Sequence, residues 1–354
     1  MKIVTYSDAQ FNNWKEFSRI LPNGRNSRLQ DQLNAQNEVF ENCISINAHL
    51  LIHTGDLFES LTEKIEKVTF LTVYDKFVEF SKSGVVVVLI VGNHDWLDRT
   101  EKEHILEPFK EIQNIIVVDA PRVEQVGDTS FCFLPYTKVD LTEKIVELAR
   151  ISRNSERRYL FTHQGGIQGA KVGPRDTILK GDYSLIDFKV GNFDLVFNGH
   201  YHKPQTMGNN FIIVGSLVQK DFGEREDNKG FWVLDTETRA ALFTENTSPK
   251  FYKMELRKGE KFSLPEKFSI DKDFLWLITE EALVTEESII KELLEGSRVR
   301  IDIEISRLRQ KPRTEISINM GIEEQLTSYV NYSKTDLNKG KLVGIGVDKW
   351  KRSQ

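Results

Sequence analysis

"GVVVVLIVGNHDW", residues 84–96, decides the fold. From Val85 to Val91 the chain is apolar without alternation, the pattern of a strand covered on both faces. The run stops at Gly92 and then delivers an amide, an imidazole and a carboxylate in succession: Asn93, His94 and Asp95. The same design recurs on either side. "KIVTYSD" (2–8) and "LLIHTGD" (50–56) are strands ending in Asp8 and Asp56. "RRYLFTH" (157–163) and "FDLVFNGH" (193–200) end in His163 and His200, with His202 two positions on.

Helical periods lie between these strands. Leu29, Leu33, Phe40 and Ile44 mark one helix face, and Phe70, Val73, Phe77 and Phe80 another. Further helices are expected near 101–113 and 140–152, with strands near 115–118 and 130–134. Phe211 to Leu256 reads as successive strands. Strands alternating with helices define an α/β fold. Residues 257–273 are charged and poor in periodicity, and are expected to link the first domain (1–256) to a smaller unit (274–320). That unit carries "FLWLIT", a helix near 286–294 and "RVRIDIEIS". In the tail, 321–354, Ile322, Leu326, Tyr329 and Val330 stand at helical spacing.

Bulk properties narrow the function. The 354 residues suit about two domains. No segment reaches the roughly 18 consecutive apolar residues of a membrane span, and no basic, apolar leader precedes the first strand. Two distant cysteines, Cys43 and Cys132, fit a reducing compartment, so a cytoplasmic location is expected. With a net charge of −5, a nucleic acid would have to be held by local basic patches. One candidate is Lys15, Arg19, Arg25 and Arg28, interleaved with Trp14 and Phe17; another is Arg307, Arg309, Lys311 and Arg313.

Five strands thus send polar groups to one sheet edge, where open α/β sheets bind their ligands. Imidazole, carboxylate and amide without thiolate suit Mn, Fe or Zn better than a structural zinc site. Two Asp, one Asn and three His favour a pair of ions bridged by one carboxylate. His49, His53 and His104 lie outside any such motif and are expected to be structural. Asp95 is open to two readings, orienting the His94 ring or capping the turn.

The ordered set "GD", "GNHD", the isolated "TH" and "GHYH" resembles the calcineurin-like metallophosphoesterases over roughly residues 1–245. After it, "GHYHKPQ", "VGS" and "FGEREDNKGFWVLD" are similar to the SbcD branch, the nuclease subunit of the SbcC–SbcD break-processing complex. "NGRNSRLQD" (23–31) resembles phage and bacterial members. The resemblance implies a sandwich of two mixed β-sheets flanked by helices, with a small α/β capping domain and a helical tail that docks on a coiled-coil ATPase. It implies one ion on Asp8, Asp56 and His202, with position 10 as a further ligand, and a second on Asp56, Asn93, His163 and His200. His94 becomes the catalytic histidine, with Asp95 beside it. The implied activity is a Mn-dependent (alternatively Mg-dependent) DNA exonuclease and endonuclease, in bacteria or a phage-infected cell, acting as a homodimer; Lys203 joins the DNA-binding candidates. Two alternatives stand: a phosphodiesterase or phosphatase for a small molecule, and a metal-poor subunit that binds DNA or the ATPase. The last is suggested by Gln10, which stands where the family has a metal ligand. Gln10 is open to three readings: a ligand through its amide oxygen, a holder of metal-bound water, or the mark of a lost ion.

Overall fold

The computed structural model describes residues 1–59, 64–97, 102–257, 263–280, 298–304, 320–333, 335 and 337–352. β1 (Lys2–Tyr6) leads to α1 (Ser27–Ser45), and β2 (Leu50–His53) to α2 (Lys67–Ser81). β3 (Val86–Ile90), β4 (Ile115–Val118), β5 (Arg122–Val126) and β6 (Thr129–Leu134) precede α3 (Leu141–Ile151) and β7 (Arg157–Thr162). A small hairpin, β8 (Lys171–Val172) with β9 (Thr177–Ile178), is followed by β10 (Leu195–Asn198), β11 (Gln205–Met207) and β12 (Phe211–Ile213). Then come β13 (Gly230–Asp235), β14 (Ala240–Glu245), β15 (Phe251–Leu256), β16 (Phe274–Glu280) and β17 (Val299–Glu304). The last described elements are α4 (Ile322–Tyr332) and α5 (Lys339–Lys351).

Two six-stranded mixed sheets form the body. Their orders are β14-β13-β1-β2-β3-β4 and β11-β12-β10-β7-β6-β5. β1 to β4 run parallel in the first, as do β6, β7, β10 and β12 in the second. The sheets face each other across a layer in which Ile3, Ile52, Val88 and Ile90 meet Phe131, Phe133, Phe161 and Phe197. The opposite side of β3, Val87 and Leu89, packs with residues of α1 and α2 such as Leu33, Phe40, Val73 and Phe77. α3 covers the outer face of the second sheet through Leu141, Ile145 and Leu148. β3 is therefore apolar on both sides because one side meets helices and the other a second sheet.

Several elements differ from the sequence reading. The buried stripe of α1 runs through Leu29, Leu33, Gln36, Phe40 and Cys43, while Ile44 is 56% exposed; from Phe40 the stripe continues three positions on, not four. Within 102–113 only a 3-10 turn, Glu107–Glu111, forms instead of a helix. Pro108 stands at its start and lacks the N–H a longer helix would need. β15 pairs along its length with β16, which pairs with β17. The small sheet thus begins at Phe251, six residues before the expected boundary at 257. Leu264 and Phe268, within the expected linker, pack on its apolar face. The helix expected near 286–294 lies outside the described residues.

Candidate metal centre

Parallel strands bring their carboxyl ends to one edge, so the loops after β1, β2, β3, β7 and β10 converge. Asp8, Gln10, Asp56 and His200 all adopt left-handed backbone (φ +48°, +44°, +58° and +77°). Such conformations are costly for residues with a Cβ and collect at functional sites. Backbone bonds hold them: Asp8 N–H to Gly55 O at 3.0 Å and Gln10 N–H to Asp56 O at 3.0 Å. The carboxylates also accept main-chain donors, Asp56 Oδ1 from His94 N–H (2.8 Å) and Asp8 Oδ2 from His200 N–H (3.0 Å). Glycines permit the close approach. A Cβ on Gly92 would lie 2.2 Å from Asp56 Oδ1, and one on Gly199 2.4 Å from Ser7 Oγ.

One group of donors is tightly gathered. His163 Nε2 lies 3.1 Å from Asp56 Oδ2 and 3.1 Å from Asn93 Oδ1, and His200 Nδ1 lies 2.8 Å from the same amide oxygen. Ligand atoms of Asp56, His163 and His200 all fall within 4.8 Å of one another. His163 is fully buried, and its Nδ1 donates to Thr54 O at 2.7 Å, which turns Nε2 toward the cluster. A second group adjoins it. Asp8 Oδ1 is buried with no hydrogen-bond partner, and His202 Nε2 stands 4.0 Å away. His202 Nδ1 is 2.6 Å from Glu224 Oε1, an orienting partner of the kind that metal-binding histidines have.

The electrostatics fit cations. Burial pushes the Asp8 carboxyl up. Burial acts on Asp56 too, but His163 and His94 outweigh it and hold that carboxyl well below its usual range. Burial lowers His163, yet Asp56 and Asp8 together raise it to about 9. Burial and the neighbouring His163 push His200 down to about 4. Two buried carboxylates, one with an orphaned oxygen, thus draw positive charge onto an imidazole between them. Oxygen and imidazole donors with unsatisfied negative charge suit divalent metal ions.

His94 stands apart from this donor set. Its Nδ1 lies 2.6 Å from Glu59 Oε1, and its Nε2 is 4.0 Å from Asp56 Oδ2. Lys220 Nζ donates to the other Glu59 oxygen at 3.1 Å. Asp95 does not touch the His94 ring. Its Oδ2 accepts from Asp56 N–H and Gly92 N–H (both 2.9 Å), and its Oδ1 from Phe58 N–H (3.1 Å). The expected catalytic placement of Asp95 therefore gives way to a loop clamp. Gln10 is 3% exposed and its side-chain amide has no hydrogen bond among the described residues. Its main-chain carbonyl accepts from Gln32 Nε2 at 2.8 Å.

Glu59 and Glu224 were missed from sequence. Glu59 stands three residues after Asp56, and Glu224 lies in "FGE", 22 positions beyond His202. Acidity near a motif was the signal, but glutamates are common enough to hide it. The basic candidates divide. Lys15 and Arg19 are exposed, and Arg25 donates to Gln30. Arg28 is 4% exposed and packs against Trp14, Phe251 and Phe274, so it is a buried structural residue and not a phosphate contact. Lys203 is ion-paired with Asp176 and Asp227. Arg307, Arg309, Lys311 and Arg313 lie outside the described residues. His49 is exposed, while His53 is buried against Tyr6. His104 meets Glu107 and Asp119, and Lys110 binds both of those carboxylates at 2.8 Å.

Residues 1–204 match the calcineurin-like phosphoesterases, and the chain belongs to that family. Family members use divalent metals. Among relatives, protein 244L of Invertebrate iridescent virus 6, a phosphoesterase by name, is 30% identical over 160 residues, 43% of this chain and 52% of that protein. The SbcD component of the SbcCD nuclease of Staphylococcus saprophyticus is 24% identical over 268 residues, 68% of this chain and 66% of that one. The chain therefore spans about half to two thirds of these relatives. A dimetal phosphatase structure from Danio rerio is 10% identical, covers 66% of this chain and 91% of its own, and has a TM-score of 0.42.

Proposed function

We propose that the chain is a two-metal phosphodiesterase acting on DNA, an SbcD-like nuclease with manganese as its ion and magnesium as a substitute. Asp56 is shared; Asp8, Gln10 and His202 complete one site, and Asn93, His163 and His200 the other. Bound there, two divalent cations supply hydroxide near neutral pH and offset charge on the phosphoryl oxygens. The chain's own groups do the rest. Glu59 fixes the His94 ring through Nδ1 and leaves Nε2 to protonate the departing alkoxide, a poor leaving group without that proton. Asp95 keeps the loops that carry Asp56 and His94 in register. Thr54 O and Glu224 hold His163 and His202 in the orientation that presents Nε2.

One observation carries the choice of DNA over a small ester. Similarity to the SbcD component of the SbcCD nuclease covers 68% of the chain, more than the 204 residues of the family match. Exposed Lys15 and Arg19 supply local positive charge. On the same reading the chain forms a homodimer through α2; Val73 and Phe77 of that helix are buried in this chain's own core, and Val68 and Leu71, 66% and 55% exposed, are left to meet the second copy. α4 and α5, with Tyr329 and Ile345 exposed, dock on a coiled-coil ATPase. Among the described residues no helix is long and apolar enough to cross a membrane, and both cysteines are buried free thiols; a cytoplasmic setting follows on this reading. The test is degradation of linear duplex DNA by the purified chain with manganese, alongside a salt titration of DNA binding. Manganese-dependent degradation and a steep salt slope are expected. Hydrolysis of small esters with no DNA cleavage and a flat slope would overturn the DNA assignment.

A further inference from the structure

His94 and His202 share one arrangement. Each presents Nδ1 to a glutamate at 2.6 Å, Glu59 for His94 and Glu224 for His202. Behind each glutamate stands a lysine. Lys220 Nζ donates to Glu59 Oε2 at 3.1 Å, and Lys229 Nζ lies 3.0 Å from Glu224 Oε2. The histidines follow strands of different sheets, His94 after β3 and His202 after β10, yet both lysines come from one segment. That segment, 219–229, lies in the crossover from β12 of the second sheet to β13 of the first.

The two relays touch. Lys220 N–H donates to Glu224 Oε2 at 3.0 Å, so one residue meets both glutamates, with its side chain and with its main chain. Lys229 Nζ also donates to His202 O at 2.8 Å and so grips that residue by its backbone as well as through its ring partner. Gln219, 3% exposed, closes the segment: its Nε2 donates to Asp227 O (2.9 Å) and its Oε1 accepts from Phe251 N–H (2.7 Å). Phe222 packs on the rings of Phe251 in β15 and Trp276 in β16. The small sheet thereby braces the segment from outside.

Lys229 is 2% exposed. Burying an ammonium is costly, and a buried ion pair often adds no more stability than apolar residues of the same volume. Packing alone therefore does not call for a lysine here. What the ammonium supplies is geometry. A carboxylate only accepts, so the ring nitrogen facing it carries a proton, and Nε2 is the nitrogen left to bind an ion or exchange a proton. Each glutamate decides which ring nitrogen faces the site, and each lysine holds its glutamate in place.

We propose that Lys220 and Lys229 are positioning residues, Lys220 for His94 through Glu59 and Lys229 for His202 through Glu224, and that segment 219–229 sets both rings together. This rests on the reading of His202 as a metal ligand and of His94 as the proton donor, and adds to it the residues that orient them.

The experiment combines nitrogen NMR of the metal-free, histidine-labelled full chain with manganese calorimetry. It compares the wild type, Lys220→Met, Lys229→Met and the double variant Glu224→Gln/Lys229→Met. In the wild type, His94 and His202 should keep the Nδ1 proton and lose the Nε2 proton as pH rises. Lys220→Met should mix the tautomers of His94 alone, and Lys229→Met those of His202 alone. Lys229→Met should also weaken one manganese site about tenfold, the loss typical of a partner that orients a ligand. Lys220→Met should leave both sites intact and lower kcat. Should Lys229→Met fail to fold, the double variant, which removes the charge of both partners, takes its place, and its manganese affinity should stay low. Ring signals and manganese affinities equal to wild type in both lysine variants, or wild-type manganese affinity in the double variant, would overturn the inference. Ring-specific changes as expected in a chain that binds no manganese would instead defeat the two-metal reading.

Discussion

Gln10 is where one residue changes the chemistry most. An amide oxygen is a neutral, hard donor, weaker toward a transition metal than imidazole. With Asp8 Oδ1 buried and unpartnered nearby in the chain, the site at Asp8 is expected to hold manganese more loosely than the site at His163. Gln10→His should lower the manganese concentration for half-maximal hydrolysis several-fold, and Gln10→Ala should raise it. Superimposable titrations of the three proteins would remove position 10 from the metal site. The strand-end residues were legible because each ends an apolar run: Asp8, Asp56, Asn93, His163, His200 and His202 all reach one edge. Glu59 was not, since its role arises only when the turn after Asp56 folds it onto His94.

At the scale of elements, the loop after β3 and the loop after β2 act as one unit. Asp95 accepts three main-chain N–H groups across them. Asp95→Ala leaves those donors buried and unpaired, at about 1–3 kcal/mol for each group left unsatisfied. A large fall in the urea midpoint, together with loss of bound metal, is expected. A stable variant with full metal and reduced turnover would instead make Asp95 a catalytic partner of His94. The clamp could not be read from "GNHD" alone, because its acceptors face the neighbouring loop. Element type was more legible than element extent. The uninterrupted run of β3 and the period of α2 were plain, whereas polar β5, exposed along much of its length, carried no apolar pattern, and Pro108 cut the expected helix to a single turn.

Across the whole molecule, the small sheet is tied to the catalytic body through Phe274. Arg28 from α1 and Arg298 both sit 4.8 Å from its ring centroid, and Arg298 forms a bidentate pair with Asp31. Arg298→Ala leaves the Asp31 carboxylate largely buried without its cation, and should cost about 3 kcal/mol. Chemical denaturation measures this, and a change below the error of the midpoint would show that the sheet is held elsewhere. None of this was legible beforehand. Arg28 read as a surface cation because it is charged and its ring partners Phe251 and Phe274 lie more than 200 residues away. Burial of an arginine by aromatic rings is a tertiary fact, set by how the small sheet meets α1.

On the proposed reading, Asp56 joins two metal ions while His94 serves the leaving group from outside the coordination sphere. Metal content per chain after manganese loading, measured for wild type, Asp56→Ala and His94→Ala, tests it most directly. Two ions are expected in the wild type and in His94→Ala, which should nonetheless be inactive, and at most one in Asp56→Ala. An equal loss of metal in both variants would place His94 among the ligands and remove its role at the leaving group.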